Sequence, residues 1–90
     1  MNLYANIDKL QNKVLGIYPC ENDNIAKRAN LQTMYSVDNP IGLIDKDIVL
    51  IGDIDINTGV VKGCEHKIVC NLAQLYEELQ MMRGSLNDKK

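Results

Sequence analysis

The residues of this chain best suited to chemistry are its scattered cations and its four tyrosines. Lys9 and Lys13 fall in a first hairpin, Lys27 and Arg28 on a helix, and Lys62 and Lys67 after a second hairpin. Such cations neutralise phosphates, and Tyr4, Tyr18 or Tyr35 could stack a base, so the chemistry on offer is contact with a single nucleic-acid strand. The competing reading is a solvated surface of mixed charge. A net charge of −2 favours it, because no global positive field then draws nucleic acid in.

Other constellations carry less. Asp53-x-Asp55-x-Asn57 followed by Gly59 resembles the opening of a calcium loop, but glycine stands one position late and Cys64 occupies the place of the bidentate glutamate. Aspartates on the wet face of a hairpin account for it more simply. Cys64, His66 and Cys70 share strand parity and Cys20 could join them, yet no tight Cys pair of the kind structural zinc uses is present. An odd set of three cysteines without framework spacing reads as reduced thiols in a cytoplasmic protein. With one histidine, no oxyanion site and glycines scattered singly, neither a catalytic constellation nor a phosphate-binding loop can be assembled. The expectation is a protein that is not an enzyme, with no cofactor and no metal.

Size bounds the rest. Ninety residues make one domain, and a chain this short buries only about 60–65% of its unfolded surface. A deep cleft is therefore not expected, whereas a homodimer that buries a leftover face is. Apolar residues at 46% and charged residues at 24% argue against disorder. The start of the chain lacks a signal-peptide pattern. No apolar run reaches the roughly 18 residues of a membrane span, so no membrane association and a cytoplasmic location are expected.

The elements that must position these residues follow from periodicity. Leu3, Ala5 and Ile7 alternate with Tyr4, Asn6 and Asp8 as a first strand, turning at Gln11-Asn12 into a second strand, Val14 to Tyr18, that Pro19 ends at a sheet edge. Asn22-Asp23-Asn24 can cap a helix whose apolar residues split between Ile25, Ala26 and Ala29 on one side and Leu31, Met34 and Tyr35 on the other. Asp38-Asn39-Pro40 breaks that pattern, and Ile41 to Asp45 reads as loop. Residues 47–59 then form an inner strand: Ile48, Leu50, Ile54 and Ile56 share one parity, while Val49 and Ile51 give way to Asp53 and Asp55 on the other.

Asn57-Thr58-Gly59 turns into a return strand from Val60, with Gly63 as a bulge or an end and His66 to Cys70 continuing it. A last helix is capped by Asn71 with Gln74 three residues on, carries a stripe of Leu72, Leu75, Tyr76, Leu79 and Met82, sets Arg83 at its C-terminal dipole, and stops at Gly84. The order β-β-α-β-β-α predicts an α+β fold: a small antiparallel sheet of about four strands with both helices on one face. One domain spans 1–84, with a flexible tail over 85–90. The half-covered inner strand leaves part of the other face for a partner or a second copy.

With these residues in view, the chain resembles the small non-structural protein of gokushovirus-type microviruses, phages with single-stranded DNA genomes. The resemblance runs through Leu3-Tyr4 and Asp8-Lys9, through Asn24-Ile25-Ala26-Lys27-Arg28-Ala29, and most strongly through Asp38-Asn39-Pro40 with Asp47 to Asp55 and Thr58-Gly59. Asn71-Leu72-Ala73 fits as well, so about three quarters of the chain is covered. Ile54 stands where that family usually has an aromatic residue, and the last helix is longer here. The resemblance implies a protein made during infection, absent from the virion and acting in genome replication, by binding single-stranded DNA or switching synthesis toward it. Host cytoplasm is the implied location, and no catalytic residue is carried over. On this reading Lys9, Lys13, Lys27 and Arg28 hold phosphates and Tyr4 or Tyr18 stacks a base. The alternative is a protein-interaction module that modulates a host or phage enzyme, with a host or phage replication protein as a possible partner, through the acidic hairpin around Asp53 and Asp55 or the exposed sheet face.

Overall fold

Two Asp-led turns set the two hairpins of the sheet. In each, one carboxylate oxygen accepts backbone N–H bonds two and three residues on: Asp8 from Leu10 and Gln11, and Asp55 from Asn57 and Thr58. Asn12 (φ 54) and Gly59 (φ 77) supply the left-handed residue that each reversal needs. The computed structural model describes residues 1–34 and 40–88, with side chains over 1–34 and 41–82. Tyr35, Asp38 and Asn39, and the side chains of Pro40 and Arg83, lie outside the described residues.

The strands are β1 (Asn2–Asp8), β2 (Lys13–Cys20), β3 (Lys46–Ile54) and β4 (Val61–Asn71), and the helices are α1 (Asp23–Thr33) and α2 (Leu72–Asp88). A short 3-10 helix, Pro40–Leu43, lies where the sequence pattern gives only loop. The sheet is antiparallel throughout, in the order β2-β1-β3-β4. The expected α+β class, element order and inner position of β3 therefore hold. The second strand runs on through Pro19 to Cys20, because β2 is an edge and the missing N–H of Pro19 takes no ladder bond from β1.

Residues directly opposed across an antiparallel pair point to the same face, so the register divides the sheet into two sides. One side packs under the helices. Tyr4, Tyr18, Cys20, Ile48, Leu50 and Cys70 form a single core with Ala26, Leu31 and Met34 of α1 and Leu72, Leu75, Tyr76 and Leu79 of α2. The other side is open. Its rows read Pro19-Leu3-Gly52-Gly63, Ile17-Ala5-Val49-Ile68 and Val14-Ile7-Asp47-Asn71. Leu3, Ala5 and Val49 are buried but do not belong to the helix-side core.

The regular alternation expected along 47–59 does not persist. Leu50 pairs with Tyr4 and Gly52 with Leu3, so Ile51 sits in a bulge and the two residues flanking it face opposite sides. Ile54 and Ile56 therefore do not continue the stripe of Ile48 and Leu50, and Ile56 is exposed in the turn. β4 is irregular at the same level, where Gly63 opposes Gly52. A Cβ at Gly52 would run into the Lys62 carbonyl oxygen and come within 3.2 Å of the Gly63 Cα. Backbone proximity, not φ, reserves this position for glycine.

Both helices begin as their sequences suggest. Asn22 caps α1, its Oδ1 accepting the Ile25 N–H at 3.0 Å. The buried face of α1 is Ala26, Asn30 and Met34: of the two expected apolar patches, Leu31 and Met34 pack against the core, whereas Ile25 and Ala29 are exposed and only Ala26 beside them is buried. On α2, Leu72, Leu75, Tyr76 and Leu79 are buried as the stripe predicts, whereas Met82 is 48% exposed. The helix passes through Gly84 to Asp88 instead of ending there, since one glycine weakens a helix by only about 1 kcal/mol. Gly52→Ala is expected to destabilise the fold by roughly 1–3 kcal/mol in urea unfolding, the range for a forced shift of packed backbone, while Gly16→Ala, whose Cβ meets nothing within 4 Å, has a far smaller effect.

Candidate nucleic-acid interface

Each cation singled out by the sequence, and each such tyrosine except Tyr35, lies among the described residues. Tyr4 is fully buried, its ring 6.1 Å from that of Tyr18 at an interplanar angle of 22°. Its hydroxyl donates to Asp23 Oδ1 at 2.7 Å and accepts from Asn2 Nδ2 at 3.0 Å. Burial, offset partly by the Asn2 bond and reinforced by Asp23, pushes the Tyr4 hydroxyl up to about 12. Tyr4 is thus a core residue that ties β1 to the first turn of α1, and the base-stacking role expected of it is corrected: no face of its ring is open to a base.

Tyr18 is half-buried and locked in a closed cycle. Its hydroxyl donates to Asn6 Oδ1 (2.7 Å), Asn6 Nδ2 donates to Asn30 Oδ1 (2.8 Å), and Asn30 Nδ2 donates back to the Tyr18 hydroxyl (2.9 Å). The second Asn30 amide proton goes to the Ala26 carbonyl at 2.8 Å. Each member of the cycle donates and accepts, so the three bonds polarise one another in the same sense. Burial raises the Tyr18 hydroxyl above its ordinary range, with the Asn30 bond opposing. Sequence reasoning missed Asn6 and Asn30. The available signal was the i, i+4, i+8 spacing of Ala26, Asn30 and Met34, which marks Asn30 as a buried polar residue needing partners.

Lys9 is committed within the protein. Its Nζ lies 3.3 Å from Asp47 Oδ2, and the Asp47 side chain is only 4% exposed. Asp47 Oδ1 also accepts from Asn71 Nδ2 at 2.9 Å, and the same amide reaches the carbonyls of Ile44 and Lys46. Asn71 Oδ1 in turn accepts the N–H groups of Ala73 and Gln74, capping α2 as its sequence predicts. Lys9 therefore neutralises a buried carboxylate that anchors the start of a helix.

The remaining cations are differently disposed. Among the described residues, Lys13, Lys27, Arg28, Lys46, Lys62 and Lys67 make no ion pair. Lys13 and Lys46 both oppose Asp8, Lys62 is in line with Asp53 and Asn2, and Lys67 with Leu50 and Tyr4. The register assigns all four to the side of the sheet that carries the helices, where Lys27 and Arg28 also sit, on α1. The structure brings Lys9, Lys13 and Lys46 to one end of the sheet, while Lys27 and Arg28, three and two residues before Asn30 on α1, are not part of that group.

Several acids are used up locally. Asp8 and Asp55 close the hairpins, Asp23 receives the Tyr4 hydroxyl, Asp47 faces Lys9, and Asp53 pairs with the Met1 amino group at 3.1 Å. The N–H groups of Asn57 and Thr58 hold the Asp55 carboxyl below its usual range. Asp53 and Asp55 also line a shallow open pocket with Thr58, Val60 and Lys62. Cys20 and Cys70 are buried and raised by that burial, and Cys64 is exposed. Among the described residues no three His, Cys, Asp or Glu side chains come together as a metal site would require, and no helix is long and apolar enough to cross a membrane.

Against known proteins, no family model, curated protein or solved structure matches this chain.

Two outcomes follow from the polar seam. Asn30→Ala is expected to destabilise by roughly 1–3 kcal/mol, because the Tyr18 and Asn6 polar atoms lose their partner while buried. An Asn6→Ala, Asn30→Ala double-mutant cycle by urea unfolding should return non-additive values. The Tyr4 hydroxyl holds its proton more tightly in the folded chain (about 12) than at its ordinary value of 10.0. The stabilisation is complete below pH 10 and lost as pH rises through 12, because the folded state then binds more protons than the unfolded one. Thermal melts across this range should show a fall in Tm that is shallower in Tyr4→Phe.

Proposed function

We propose that this chain is a non-enzymatic accessory protein of genome replication in a single-stranded DNA phage, acting in the host cytoplasm by holding single-stranded DNA through its phosphates. The observation that carries this reading is the set of six cations on the helix side of the sheet that make no ion pair among the described residues. Phosphate can engage them without first breaking an internal bond, whereas Lys9 would have to abandon a buried carboxylate. The resemblance to the microvirus non-structural protein supplies the biological setting. Base stacking plays no part through Tyr4, and Tyr18 contributes through its half-exposed ring alone.

A second reading, a module that modulates a host or phage replication enzyme, draws on the β3–β4 hairpin. There Ile56 and Val60 are exposed beside Asp53 and Asp55, a mixed apolar and acidic tip suited to a protein surface.

Fluorescence anisotropy with a labelled single-stranded oligonucleotide tests the first reading. Binding at low ionic strength is expected to weaken steeply with salt. Replacing Lys13, Lys27 and Arg28 together by alanine should reduce the logarithmic salt slope by about 2, at roughly 0.7 per phosphate contact on a single strand. Lys9→Ala is expected to lower stability more than binding. Absence of salt-sensitive binding would overturn the reading, and recovery of one stoichiometric enzyme partner lost on Ile56→Glu would replace it with the second.

A further inference from the structure

The open side of the sheet has the wrong polarity for a surface that meets water. In an antiparallel sheet covered on one face, the apolar parity of each strand normally turns to the core and the polar parity to solvent. β1 does the reverse. Asn2, Tyr4, Asn6 and Asp8 turn under the helices, where hydrogen bonds take up their polar atoms, and Leu3, Ala5 and Ile7 turn to the open side. The middle row of that side, Ile17-Ala5-Val49-Ile68, is apolar across all four strands. Its two outer members are 59% and 64% exposed.

We infer that this face is covered by a second copy of the chain, the two open sheets packing against each other as a sandwich about a two-fold axis. Two observations select that occupant. First, in a two-fold interface the same patch is presented by both partners, so like charges meet unless the patch is neutral. The three rows contain a single charged residue, Asp47, which stands in an end row and is already neutralised by Lys9. Second, the shape fits: a sheet face with small residues at its centre (Ala5, Val49, Gly52) and isoleucines at its rims is complementary to another such face, and paired sheets interdigitate about 10 Å apart.

An apolar row that runs unbroken across four strands is also wider than the scattered apolar residues usual on a monomer surface. The cations that the proposed DNA contact uses lie on the opposite side, so the two surfaces do not compete.

Sedimentation equilibrium from about 1 to 100 µM tests the assignment, since a standard-size interface falls within that range or below it. The wild-type chain is expected to be a dimer. Ile17→Glu and Ile68→Glu should each raise the dissociation constant by at least about 30-fold, because each forces an unpaired charge into the contact. Leu10→Glu, at an exposed apolar residue off this face, should leave it unchanged. Ile68→Thr keeps the strand-favouring branch and should give an intermediate weakening, which guards against misfolding of the charged variants; circular dichroism checks each. A wild-type monomer at all concentrations would overturn the inference and leave the face to a different protein. So would a dimer indifferent to both glutamate variants in folded protein.

Discussion

The cyclic set of hydrogen bonds among Tyr18, Asn6 and Asn30 is the constraint on which the arrangement rests. It joins the edge strand β2, the inner strand β1 and the middle of α1 at one point. Three polar side chains can be buried there because each supplies the donor that the next one lacks. Among the described residues no buried side-chain nitrogen or oxygen is left without a partner. Tyr4, stacked beside Tyr18, extends the seam to Asp23, so the first turn of α1 is fixed by the same polar row. Such a network contributes little net energy per bond but much directionality, since its loss leaves desolvated groups unpaired.

A second polar knot, Lys9-Asp47-Asn71, does for α2 what the cycle does for α1. Asn71 is at once the last residue of β4 and the cap of α2, so the strand passes into the helix without a loop. Together the two knots place both helices on one side, and apart from Asp47 and Asn71 in an end row the three open rows carry no polar side chain. The sheet thereby separates its charged surface from its apolar one, and each is free to meet a different kind of partner.

Much of this plan was legible in the sequence, for identifiable reasons. Asn22 and Asn71 announce helix starts because an amide side chain is the simplest partner for free N–H groups. Residues 47–51 announce an inner strand because apolar residues occupy both parities. What could not be read was the direction of each face. Alternation in β1 shows that Leu3, Ala5 and Ile7 lie together, but the usual rule would turn them toward the helices. Asn30 was hidden by its type, as a polar residue in the buried stripe of a helix reads as an error in the pattern until its partners are in place. The bulge at Ile51 was invisible too, because it depends on how closely two backbones approach at Gly52 and Gly63, and no single strand records that. For the cations, number and spacing were readable, while the absence of ion pairs among the described residues depended on how the strands and helices come together.

The inverted pleat of β1 also bears on how the chain finds its fold. Sliding that strand by one residue would swap its two parities and deliver Leu3, Ala5 and Ile7 to the helices. Greasy contacts alone would not reject such a misregistered sheet, and could even prefer it in an isolated molecule. Discrimination therefore falls to direction-sensitive amide and phenol groups, and to the bulged positions that interrupt both of β1's ladders.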